Sequence, residues 1–143
     1  SGLAASRATF ENPADHILLP EIISKEPLAP LVRHGDNQWG DIVRWTLNAM
    51  ITAEELGVTS ANVRELAAAA GNNPEVNRLL GTEGELGAML GLSADWAVNA
   101  IAAGGNYGES FERNIGSSTP IGLARGLNAL WTNGGLLYSP PFR

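Results

Sequence analysis

Residues 36–57, DNQWGDIVRWTLNAMITAEELG, carry the strongest structural signal in this 143-residue chain. Side chains suited to a core recur there at spacings of three and four residues, which predicts an amphipathic helix with one buried face. The members of this stripe are Trp39, Ile42, Val43, Thr46, Leu47 and Met50. Asp36 is predicted to cap the first turn, and Gly57 to end the helix in a left-handed conformation. The stretch is therefore interpreted as an ordinary core helix with both of its ends encoded locally.

Two positions in this helix lead to further expectations. Trp39 lies on the stripe, so we expect it to be buried and its truncation to alanine to cost about 3–5 kcal/mol. Glu54 and Glu55 lie near the negative end of the helix dipole, which is unfavourable for a carboxylate. That conflict predicts either fraying of the last turn or a basic partner close by.

Composition predicts a globular chain of single-domain size. The sequence is 44% hydrophobic and 17% charged, and it contains no apolar run long enough to span a membrane. Nine basic and fifteen acidic residues give a net charge of -6. Because phosphate contacts need clustered Lys and Arg, no nucleic-acid partner is expected. The absence of cysteine excludes disulfides and thiolate metal sites.

Helix and strand signals divide the remainder of the chain. Apolar runs bounded by turn residues predict short strands at residues 16–19 and 28–34, the second at a sheet edge or crossover because Pro27 and Pro30 cannot donate to a ladder. Cap residues, prolines and glycines predict helices at residues 3–10, 61–70, 76–80, 83–90, 93–103, 105–116 and 120–131, followed by an extended surface tail at 134–143. The pattern is therefore mainly α-helical with one or two short strands.

Few residues could support catalysis or metal binding. His16 and His34 have no second ligand at metal-site spacing, so we expect neither a metal site nor a His-based triad. The glycines at 104, 105 and 108 lack the Lys and Ser/Thr of a phosphate loop, which favours a helix junction. We predict no catalytic residue, no metal ligand and no cofactor.

Two constellations leave an alternative open. Glu109 and Glu112 share one predicted helical face and could form a paired carboxylate site, although Arg113 beside them favours a solvated, salt-bridged face. The four tryptophans, at positions 39, 45, 96 and 131, could stack on a ligand, although their helical spacing favours core packing.

Three segments resemble a known family. They are residues 19–45, LPEIISKEPLAPLVRHGDNQWGDIVRW, residues 105–116, GNYGESFERNIG, and residues 121–143, IGLARGLNALWTNGGLLYSPPFR. Together they look like the C-terminal part of the general L-amino-acid-binding periplasmic proteins, the solute-binding components of polar amino-acid ABC importers. The strings KEPLAPLVRHGDNQW and GLLYSPPFR are long and specific, and the resemblance covers essentially the whole chain.

The resemblance implies an α/β parent protein with a two-lobed, type II periplasmic binding fold, in family 3 of the extracellular solute-binding proteins. Residues 1–27 would form the end of the second lobe and a crossover. Residues 28–143 would form the C-terminal part of the first lobe, with closing helices and an extended tail. The implied protein is periplasmic, is not an enzyme and uses no cofactor. Its partners would be an L-amino acid, for the full-length protein, and the permease subunits of an ABC transporter.

The groups that grip ligand in this family are expected outside the chain, which opens at Ser1 without an initiator Met. Only Ser1 would border the ligand cleft, so Ser1 is the one ligand-binding residue carried over. We expect the chain to be a C-terminal fragment that does not bind ligand alone. It should either self-associate or stay attached to its missing N-terminal half. A helical interaction or regulatory module without a small-molecule ligand is the alternative.

Overall fold

The architecture is mainly α-helical. The computed structural model describes residues 2–24, 27–69 and 71–143, and within these ranges it contains no β-strand, only an isolated bridge between Leu130 and Leu137. Short 3-10 turns lie at Pro13–Asp15, Gly126–Asn128 and Trp131–Asn133. The α-helices are α1 Gly2–Ala8, α2 Asn37–Glu55, α3 Val63–Ala69, α4 Pro74–Leu79, α5 Leu86–Met89, α6 Trp96–Gly104 and α7 Tyr107–Asn114.

Helix α2 forms where the sequence predicts it. Asp36 caps its first turn, because the Oδ1 atom accepts a hydrogen bond from the Trp39 amide at 3.1 Å. Gly57 follows the helix with a φ of +69°, a conformation that glycine adopts without steric cost. Both predicted ends are therefore confirmed.

The buried face of α2 differs from the predicted stripe. Trp39 is 53% exposed, so the expectation that it lies in the core is wrong. The side chains that join the core are those of Trp45, Ala49, Ala53 and Leu56, on a face rotated from the predicted one by roughly 100°, the angle of one helical residue. Alanines at the contact allow close approach of neighbouring helices, and a pattern based on large apolar residues gives them too little weight.

The core lies where α2 packs on α4 and α6, with α3 packed on α6. Its buried members also come from the loop after α2 and from the end of the chain; they are Ala49, Ala53, Val58, Val63, Leu79, Leu80, Ala97, Val98, Ile101 and Phe142. The ring of Phe142 meets that of Trp45 edge to face, with centroids 5.1 Å apart. The predicted surface tail is therefore anchored in the core by its penultimate residue.

Neither predicted strand forms among the described residues. Residues 16–19 and 28–34 have no ladder hydrogen bonds, and Ile17 and Leu31 are 80% and 97% exposed. A strand is stable only when its backbone groups pair with a neighbour, and no described segment provides one. The strands of the predicted fold class are thus missing here, while its mainly helical character is confirmed.

The helix predicted over residues 120–131 is also wrong. Gly122 and Gly126 adopt φ values of +66° and +49°, which interrupt a right-handed helix. Backbone hydrogen bonds fold the segment back on residues 134–137 instead, including Trp131 N–H to the Leu137 carbonyl at 2.8 Å. A Cβ at Gly135 would collide with the Ala129 carbonyl oxygen, so this close crossing requires glycine.

Candidate functional site

The residues singled out for ligand or metal chemistry are not brought together. Ser1 lies outside the described residues. His16 is exposed and its ring lies edge-on to Phe10, with centroids 4.8 Å apart, and His34 is exposed as well. Within residues 2–24, 27–69 and 71–143, no three His, Asp or Glu side chains are placed to hold a metal ion. No helix in these ranges is long and apolar enough to cross a membrane.

Glu109 belongs to a polar junction at the start of α7. Its carboxylate accepts hydrogen bonds from the Ser60 hydroxyl at 2.6 Å, the Ser60 amide at 3.0 Å and the Asn106 amide at 2.8 Å. Asn106, which is 6% exposed, accepts from the Glu109 amide and donates to the Val58 carbonyl. Together they form a capping box that ties α7 to the loop after α2.

The protonation of Glu109 follows from these contacts. Burial raises the pKa of its carboxyl, but the hydrogen bonds from the Ser60 hydroxyl and from the Asn106 and Ser60 amides outweigh burial and lower it. Arg113 donates to the Gly104 carbonyl at 2.8 Å, so the salt-bridged face predicted for Glu109 and Glu112 is not what forms. Glu109 acts as an ionised structural acceptor and not as half of an acid–base pair.

Arg125 is the centre of a second junction. Its guanidinium makes a bidentate pair with Glu54, with Nη1 to Oε1 at 2.9 Å and Nη2 to Oε2 at 3.0 Å, and also donates to the Asn128 carbonyl. It lies over the rings of Tyr107 and Phe111, 5.4 and 5.2 Å from their centroids. The basic partner predicted for the end of α2 is therefore confirmed for Glu54, although its position 71 residues away had no local signal.

Two concavities flank Ser139 in the tail. The first, about 180 Å³, lies beneath the tail beside Thr52 and Arg78, and the buried Thr52 Oγ1 and Arg78 Nε atoms have no hydrogen-bond partner there. The second is more open, about 410 Å³, and is lined by Glu55, Trp131, Tyr138 and Ser139. Neither contains a nucleophile paired with a base.

Two of the four tryptophans pack against the core and the other two are exposed. Trp45 and Trp96 pack against the core. Trp39 and Trp131 are 53% and 58% exposed. Core packing is therefore confirmed for two of them, and the other two present aromatic surface to solvent.

The chain is similar to known proteins along its whole length. No family model matches the chain. Over 143 residues it is 66% identical to the glutamate/glutamine/aspartate/asparagine-binding protein BztA of Rhodobacter capsulatus, and over 145 residues 57% identical to the general L-amino acid-binding periplasmic protein AapJ of Rhizobium johnstonii. A putative amino-acid ABC transporter-binding protein of Escherichia coli, YhdW, is 54% identical. Each match covers 100% of this chain and 42% of the relative.

A solved structure agrees with the sequence matches. An ABC transporter/periplasmic binding protein from Brucella ovis, with glutathione bound, superposes with a TM-score of 0.91 at 54% identity, covering 99% of this chain and 44% of that one. The names of these relatives describe binding proteins and not enzymes. The chain spans less than half the length of the proteins it matches. Over its whole length, the chain is related to the amino-acid-binding periplasmic proteins of ABC transporters, as its resemblance predicts.

Proposed function

We propose that the protein is the substrate-binding component of an ABC importer for L-amino acids, which captures its ligand in the periplasm and delivers it to the permease. The identity of 66% to an amino-acid-binding protein along every residue of the chain carries this proposal. The function needs no catalysis, because binding energy that favours a closed arrangement of two lobes is sufficient to signal occupancy to a membrane partner.

The proposal assigns the chain to two parts of such a protein. Residues 1–27 end the second lobe and cross over, and residues 28–143 complete the first lobe. The low burial of residues 16–24 supports this division, since a crossover packs against parts of both lobes. Ser1 is proposed to border the ligand cleft.

Titration calorimetry with glutamate, glutamine, arginine and leucine tests the function. A free amino acid must exchange water for fixed charges at both of its ends, and the groups proposed for this lie outside the chain. The full-length protein is expected to bind at least one of the four with a Kd of about 1 μM or tighter, and the 143-residue chain none of them. Tight binding by the isolated chain would contradict the division into lobes. Failure of the full-length protein to bind any amino acid would favour a helical interaction module.

Association of the isolated chain is part of the same proposal. Large apolar side chains stay exposed along the proposed crossover and at the start of the proposed first-lobe part: Ile17 80%, Leu19 71%, Ile22 72%, Ile23 94%, Leu28 79% and Leu31 97%. Monomeric proteins rarely leave large apolar surfaces exposed to solvent. The chain should therefore self-associate or remain attached to its N-terminal half. Light scattering with intact-mass analysis tests this, and a stable 15.0 kDa monomer at high concentration would refute both versions.

A further inference from the structure

The two neighbouring carboxylates at the end of α2, those of Glu54 and Glu55, have different hydrogen-bond partners. Glu54 is neutralised by its bidentate pair with Arg125. Glu55 accepts only from a neutral donor, the Trp131 indole N–H, at 3.0 Å. Because Glu55 also faces the negative end of the helix dipole, its charge lies where an additional cation would be stabilising.

Two aromatic side chains lie beside this carboxylate. The hydrogen bond from the Trp131 amide to the Leu137 carbonyl brings residue 131 next to residues 137 and 138. Trp131 and Tyr138 are 58% and 69% exposed, and with Glu55 and Ser139 they line the open concavity of about 410 Å³. None of the four lining residues is basic.

An aromatic face beside a carboxylate is a favourable environment for an organic cation, since the ring quadrupole and the negative charge both attract it. A guanidinium can lie on an indole or phenol ring while it donates hydrogen bonds to the carboxylate. We propose that Glu55, Trp131 and Tyr138 form a docking site for an arginine or lysine side chain presented by a protein partner.

The shape of the site and the charge of the chain favour a protein-borne cation. Both rings are more than half exposed, so a small free cation would remain largely hydrated there, whereas a partner surface could cover the rings. The net charge of -6 attracts a basic surface. Glu55 and Ser139 also line the adjoining concavity that contains Arg78 and Arg143, whereas this one has no basic residue in its lining.

Tryptophan-labelled full-length protein tests the site by NMR. The indole N–H resonance of Trp131, assigned by its loss in Trp131→Phe, is followed while acetyl-triarginine-amide is added. We expect a saturable shift with a Kd of about 1–10 mM, because a single exposed cation site is weak. The uncharged citrulline tripeptide, which has nearly the same shape, should shift it little.

Variants separate this site from general attraction to an acidic protein. Glu55→Gln keeps a hydrogen-bond acceptor for the Trp131 indole and removes the negative charge, so the affinity for the arginine peptide should fall about fivefold. Tyr138→Ala removes one of the two rings, and its affinity should also fall about fivefold. Glu65→Gln removes the same charge from an exposed position on α3, and its affinity should be unchanged. Equal shifts with the citrulline peptide, equal weakening by Glu65→Gln, or no shift at all would overturn the proposal.

Discussion

The helical body and the stretch formed by residues 16–24 and 27–34 have comparable apolar content but differ in how much of it is buried. In the body, side chains such as those of Val58, Val63 and Ile101 are fully buried. In the stretch, Ile23 and Leu31 are almost fully exposed. The difference teaches that hydrophobic composition alone does not bury a segment. Burial also needs a facing surface, which the body supplies to itself and the stretch does not find among the described residues.

The largest effect should come from removing a core anchor. Phe142→Ala should destabilise the protein by about 3–5 kcal/mol, because the ring is 5% exposed and packs against Trp45. Leu31→Ala, at a 97% exposed position, should change the free energy of unfolding by less than about 0.5 kcal/mol. Urea melts of both variants, at protein concentrations low enough to prevent the proposed self-association, measure the contrast. A large loss from Leu31→Ala under these conditions would mean that the stretch is buried within a single chain.

Breaking the Arg125–Glu54 pair should have the next largest effect. Arg125→Ala leaves the Glu54 carboxylate partly buried without its cation, at a cost of about 2–3 kcal/mol. Arg44→Ala is the matched control, because its pair with Asp41 is exposed and should contribute less than about 0.5 kcal/mol. Thermal melts of the two variants measure the difference. Equal effects would show that the Arg125–Glu54 pair does not hold the segment around Arg125 on the helical body.

The junction at Glu109 should make stability depend on pH. Because the pKa of Glu109 is lowered in the folded protein, the unfolded chain takes up its proton first as the pH falls. The stability that the Glu109 carboxylate contributes is therefore fully present above the ordinary glutamate pKa. It is lost as the pH falls through the lower pKa of Glu109 in the folded protein.

Glu109→Gln should flatten this acid-side slope, and Ser60→Ala should reduce it while costing about 1 kcal/mol near neutral pH. Urea melts across the acidic range provide the measurement. An unchanged slope in Glu109→Gln would contradict the assignment.

The smallest effect is expected in the first turn of α2, which follows the exposed stretch in the chain. Trp39→Ala should cost less than about 1 kcal/mol, since the side chain is 53% exposed, in place of the 3–5 kcal/mol expected of a buried Trp39. Trp45→Ala, which removes a core side chain, is the comparison. Equal midpoints in urea would mean that the first turns of α2 are covered in solution.

Local features of this fold were predictable and relations between distant residues were not. The predicted caps at Asp36 and Asn73 act within three residues and are found in place. Asn106 caps α7 by the same local chemistry, although no cap was predicted there. The Ser60–Glu109 and Glu54–Arg125 contacts join residues 49 and 71 positions apart. The hypothesis of a basic partner for Glu54 came from the helix dipole, which cannot say which arginine supplies it.

The sequence by itself determined where most helices begin and end, the family to which the chain is related and the absence of thiol chemistry, because these depend on residue type, short spacings or long specific strings. The tertiary structure decided which face of α2 is buried, that residues 120–131 fold back, that Phe142 enters the core and that Glu55 lies beside two exposed aromatic rings. Each of these depends on how segments far apart in the chain pack together, and packing selects small residues and positive-φ glycines whose role no local pattern reveals.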